Sequence, residues 1–128
     1  MRAALAWGAG IGALQALSPL AFPWLGATTV YALGLAFIAA VYIGFAVADG
    51  RPRVLAAETA VFVVVAAVAI TVSPWLLVAG LAGHGVKDAV QHRTGFVAGT
   101  RWWPPFCAAV DVVAAALIAL ALVTGIAS

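Results

Sequence analysis

GHGVKDAVQHR, residues 83–93, carries both histidines of the chain, and Lys87, Asp88 and Arg93 out of only six basic and four acidic residues. An apolar run, PWLLVAGLAG (residues 74–83), leads into it. Whether this segment is a polar loop or a helix through a bilayer decides the fold.

Composition answers first. The chain has 128 residues, of which 66% are hydrophobic and 8% charged, and its mean hydropathy is +1.18. A soluble domain is about half apolar and about a quarter charged. So few charges cannot cover a soluble surface, and an integral membrane protein is expected. The length fits one domain, residues 1–128. The net charge of +2 comes without a basic cluster or linker, so nucleic-acid binding is not expected. A single cysteine excludes an internal disulfide framework and a dithiol redox pair.

A helix needs about 20 apolar residues to cross the hydrocarbon. Runs at about 3–18, 27–48, 54–72, 75–93 and 104–126 are candidate spans. Asp49-Gly50 is a stop signal, and Pro52, Pro74 and Pro104 suit first helical turns. The first run is short enough to raise the alternative of a cleaved signal peptide, but it has a thin basic region and no clean cleavage site, so it is read as retained. With five spans and a cytoplasmic N-terminus, Arg2, Arg51, Arg53, Lys87, Arg93 and Arg101 all fall on or near the inner side. The loops SPLAFPWLGATT and TVSP then carry no positive charge, as the positive-inside rule requires. A surface segment at 75–93 could not join helices that end on opposite sides. The expected fold is therefore all-α: a bundle of five transmembrane helices in the cell (inner) membrane, N-terminus inside and C-terminus outside. Trp24 and Trp75 fall at the outer boundary and Trp102 and Trp103 at the inner one, where amphipathic rings anchor helices.

On a helix, residues 84–92 segregate. Relative to His84, Lys87 lies at about −60°, Gln91 at about −20°, Asp88 at about +40° and His92 at about +80°, leaving Gly85, Val86, Ala89 and Val90 for the other side. Depth adds partners. Asp111 is about 10 Å from the inner end of its helix, Glu58 about 9 Å, Asp88 about 8 Å and His84 about 13 Å. Ionisable groups at such depth cost about 2.5–3.5 kcal/mol each at a helix centre, so they are expected to meet inside the bundle. Glu58, His84, Asp88 and Asp111 are the candidate catalytic set, in a pocket open to the cytoplasm with Asp49, Lys87 and His92 at its mouth. Tyr42, Gln91, Trp102, Trp103 and Phe106, with Lys87 and His92, are candidate substrate contacts.

Several chemistries fit this set. Glu58, His84, Asp88 and Asp111 offer nitrogen and oxygen ligands suited to a divalent metal such as Zn, Fe or Mn, although His84 and His92 are about 12 Å apart along the helix, too far to share one ion. Without metal, a carboxyl group kept from water and a neighbouring histidine can hold and pass a proton, which suits isomerisation, cyclisation or hydrolysis of a lipophilic molecule of the lipid or isoprenoid class. Aromatic faces would steady a developing cation. A proton- or cation-coupled transporter acting as a homo-oligomer uses the same parts. A polar network can also serve only to specify packing, as in a structural or accessory subunit. Cys107, one turn before Asp111, reads as a small packed side chain. GAGIG (residues 8–12) lacks the spacing and strand context of a nucleotide loop; Gly8 and Gly12 instead permit close helix approach, within the chain or in a homodimer, as do Ala108, Ala114 and Ala115.

YIGFAVADGR (42–51), Glu58, HGVKDAVQHR (84–93) and TRWWPPF (100–106) followed by Asp111 together resemble a family of small bacterial integral membrane proteins of unknown function. The resemblance spans most of the chain. That family's pattern has two histidines in a row where this chain has Gln91-His92, which weakens a strict metal-site assignment. It implies that these positions form a site and names no activity.

Overall fold

The computed structural model describes residues 1–48, 50, 52–96 and 100–127. They form five α-helices: α1 (Arg2–Leu17), α2 (Ala27–Ala48), α3 (Pro52–Thr71), α4 (Trp75–Thr94) and α5 (Trp103–Val123), with one 3₁₀ turn, Ser18–Ala21, after α1. Four segments are long and apolar enough to cross a membrane: Arg2–Ala21, Ala27–Phe45, Arg53–Thr71 and Trp103–Val123. The fold is all-α, as expected. Asp49 and Arg51, read as a pocket-mouth residue and an inner-side charge, lie outside the described residues.

Local chemistry sets the helix ends. At the start of α4, the Ser73 hydroxyl accepts the Trp75 N–H at 3.3 Å. Its C-terminus is Gly95, left-handed at φ 63°, a conformation that relieves the last carbonyls and that a side chain would strain. Thr100 Oγ1 accepts the N–H groups of Trp102 and Trp103 at 3.3 and 3.2 Å, and Pro104 and Pro105 follow in the first turn of α5, where a missing N–H is harmless. α5 stops at Val123 rather than near 126, because Gly125 turns left-handed at φ 75°.

In the packing, α1 lies against α5, α5 against α4, and α2 against α3; α4 also touches α3 and α2, while α1 and α2 meet only lightly. Gly8 and Gly12 face α5: a Cβ on Gly8 would run into the Phe106 carbonyl and come within 2.7 Å of Ala109 Cβ. The glycine pair and the buried Ala114 and Ala115 are thus used inside the bundle. Between helices in lipid, such close backbone approach replaces the hydrophobic effect as the source of attraction. Hydrogen bonds add to it. The Tyr31 hydroxyl donates to the Ala16 carbonyl at 3.0 Å, tying α2 to α1, and buried Thr59 donates to the carbonyls of Leu55 at 2.9 Å and Ala39 at 3.1 Å, the second tying α3 to α2.

Large apolar side chains point outward: Trp7, Leu14, Phe37, Val64, Val86, Leu120 and many others are exposed. The bundle is inverted relative to a soluble domain. Its core around Leu35, Leu77, Leu81 and Ile118 is packed with alanines, and its polar groups are inside.

Candidate functional site

α4 presents a buried stripe of Leu77, Gly80, Leu81, His84, Gly85, Asp88 and Gln91. The spacing is that of one helix face. Gly85 belongs to this stripe and not to the outward side expected from the sequence. A Cβ there would meet Asp111 Cβ at 3.2 Å and the Ala108 carbonyl at 3.5 Å. Its small size draws α4 onto α5 at the level where His84 and Asp88 meet Asp111.

His84 Nδ1 and Asp111 Oδ2 are 2.8 Å apart in a hydrogen bond. His84 Nδ1 also lies 3.5 Å from Asp88 Oδ2. All three residues are essentially excluded from the surface, and one ligand atom from each falls within 4.8 Å of the others. Lys87 does not reach out to the mouth. Its flexible stem folds back, placing Nζ 3.0 Å from Asp88 Oδ1 and 3.5 Å from the centre of the Tyr42 ring. Phe62 and Tyr42 pack edge-on against the imidazole at 4.7 and 5.5 Å between ring centres. They fix its orientation from two sides.

Glu58 stands apart from this trio. It accepts a 3.0 Å hydrogen bond from Gln91 Nε2, one turn of α4 beyond Asp88. The reason is packing: α3 sits on α2 and α4, so a carboxylate at that depth meets the end of α4. His92 is half-buried, beside a cavity at the basic end of the bundle that Arg93, Arg101 and Trp102 also line.

The aromatic candidates divide. Trp102 is exposed and stacks on Phe106 at 4.8 Å between ring centres. Trp103 is half-buried between Phe45 and Phe106. Buried Tyr42 and Cys107 form a second small core with Phe45, Phe96, Trp103 and Phe106. On its far side, between α1, α2 and α5, an apolar crevice of about 260 Å³ is lined by Gln15, Ile38, Val41, Trp103, Cys107 and Val110 among others. Cys107, Trp103 and Phe106 belong to both this core and the crevice wall, while Tyr42 of the same core packs on the His84 ring.

Charge counting says what the trio holds best. Take Lys87 as an ammonium, both aspartates as carboxylates and His84 as neutral. One negative charge is then in excess, in a site where each carboxylate has lost its water. One proton between His84 Nδ1 and Asp111 Oδ2 removes the excess. A divalent metal on the same ligands leaves one positive charge in excess, with the Lys87 ammonium already on Asp88. The donor set suits Zn, Fe or Mn in ligand type, but Lys87 tips the balance to a proton.

No protein-family model, no curated protein and no solved structure matches the chain. The resemblance drawn above therefore rests on its quoted residues alone. Sequence reasoning missed Gly85, Thr59 and Gln15. Gln15 lies in the α1–α2 seam, its amide against Gly34, where a Cβ would not fit.

Proposed function

We propose that the chain crosses the cell membrane five times, with its N-terminus and basic end in the cytoplasm, and that His84, Asp88 and Asp111 form an acid–base site for a lipophilic molecule of the lipid or isoprenoid class. α4 supports the fifth span. Its 20 residues extend about 30 Å, the thickness of the hydrocarbon. Its exposed side is Ala79, Ala82, Gly83, Val86, Ala89 and Val90, with no charge before Arg93. Polar inside and apolar outside is the arrangement that lipid, not water, favours.

The observation that carries the activity is the proton-sized charge imbalance, joined through the Tyr42–Cys107 core to an apolar crevice between α1, α2 and α5. In this reading a hydrocarbon chain enters sideways from the bilayer. The His84–Asp111 pair delivers one proton and takes one back, as isomerisation or cyclisation of a double bond requires. Lys87 holds Asp88 in place, and the rings of Tyr42, Trp103 and Phe106 face the developing cation. Transport through one bundle has less support. Beyond His84 the core is Leu81, Leu77, Leu35, Ile118 and alanines, with Tyr31 the polar exception, so a polar path ends at the cluster.

Extraction of the purified protein and mass spectrometry test this reading. Wild type should retain a lipophilic molecule at near-stoichiometric amounts, and Val41→Trp, which fills the crevice, should lose it. Retention of annular phospholipid alone, or equal retention by Val41→Trp, would remove the proposal.

A further inference from the structure

At the basic end, α1, α4 and the start of α5 enclose a cavity of about 760 Å³ that the acid–base reading does not use. Two arginines from separate segments are among its lining residues: Arg93 in the last turn of α4 and Arg101 ahead of α5. His92 and Thr100 stand beside them, and no carboxylate lines it among the described residues. Both arginines are exposed, and positive-inside charge alone would place them anywhere on the inner rim. Here they share one concavity. Gln91 is also in its lining. That side chain is 4% exposed; its Nε2 is spent on Glu58, and its Oε1 has no partner among the described residues.

We infer that this cavity binds a phosphate group, as a monoester or a diphosphate, between Arg93 and Arg101 with Gln91 beneath it. Paired guanidiniums recognise phosphate and carboxylate alike. The Gln91 oxygen discriminates, because it can only accept a hydrogen bond. A singly protonated phosphate brings a P–OH donor to it, and a carboxylate or sulfate brings none. Met1, Ala4, Trp102 and Pro104 are also in the wall, an apolar side for an attached hydrocarbon chain. The inference rests on the membrane reading and not on the acid–base role of His84, Asp88 and Asp111.

Calorimetric titration of the full chain in a neutral detergent tests it, with inorganic phosphate, inorganic sulfate and dodecyl phosphate as probes at mildly acidic pH. Saturable binding of phosphate over sulfate is expected. Arg93→Ala and Arg101→Ala should each weaken it by at least about tenfold, the loss of one charge-assisted pair. Gln91→Leu should abolish the preference over sulfate. Arg53→Ala, an exposed arginine that does not line the cavity, should leave binding within about twofold. Tighter binding of dodecyl phosphate assigns the site to a lipid headgroup; tighter binding of inorganic phosphate assigns it to a free anion. No saturable phosphate binding, or an equal loss in Arg53→Ala, would overturn the inference. Failure here leaves the retained lipophile of the crevice untouched, so the two readings fall separately.

Discussion

Along α4, Leu77, Gly80 and Leu81 pack into aliphatic side chains and alanines, while His84, Asp88 and Gln91, on the same face one to three turns later, are held by polar and aromatic partners. The two halves share a helix and the same neighbours. What differs is the source of their cohesion. In lipid, apolar contact between helices gains little over apolar contact with acyl chains, so the Leu77 half depends on shape. The His84 half depends on charges that have nowhere else to go. Damage should therefore be severe and all-or-none in one half, graded and repairable in the other.

Asp111 gives the largest expected effect. Asp111→Ala leaves His84 Nδ1 without its 2.8 Å partner and opens a hole beside the Lys87–Asp88 pair. A buried ring nitrogen left unpaired costs about 1–3 kcal/mol, and the cavity adds to it. Asp111→Asn is the sharper variant. It preserves shape and one hydrogen-bonding oxygen, and it leaves Lys87 and Asp88 balancing each other. Asn should therefore recover most of the stability lost in Ala, as read by unfolding in mixed detergent micelles, while abolishing the proton taken up by the cluster. Equal damage by Asn and Ala would break the one-proton account and with it the contrast between the halves.

Val86 comes next. It is 65% exposed and near the middle of α4, on the face away from the cluster. If α4 spans the bilayer, Val86→Asp puts a carboxylate in acyl chains at a cost of about 2.5–3.5 kcal/mol. A glycosylation-based insertion assay on α4 reads this directly. Normal insertion of the Asp variant would show that this face is wet and that α4 lies at the interface.

These residues also mark what could be read from the chain. The five helices follow from hydropathy, since apolar runs near 20 residues admit few alternatives. The meeting of His84, Asp88 and Asp111 follows from helical phase and depth, which are regular quantities. Three features escaped for one reason, namely that a helical wheel knows direction and not reach or neighbours. Lys87 folds back because its stem is long enough to find Tyr42 and Asp88. Glu58 finds Gln91 because α3 happens to abut α4. Gly85 passes as an outward residue until α5 is seen against it. Thr59 has no pattern at all in sequence, being a mid-helix hydroxyl whose value appears only with the Ala39 carbonyl opposite it.

Gly80 tests the shape-held half, and its effect is the smallest. A Cβ there would come within 2.8 Å of Leu35 Cδ2 and 3.0 Å of Val65 Cγ1. Leu35 is fully buried, so its end cannot move without disturbing the alanines around it. Gly80→Ala should therefore destabilise by about 1 kcal/mol through overpacking, although alanine is the better helix former by a similar amount. The Leu35→Ala background removes the closer obstruction and gives Val65 room to shift. There the same substitution should become neutral or stabilising, so a double-mutant cycle between positions 35 and 80 should show coupling of about 1 kcal/mol or more. No such repair is expected in the polar half, where a second truncation only exposes another unpaired group. Additive effects at Gly80 and Leu35 would mean that this half is not held by shape, and the contrast along α4 would lose its physical basis.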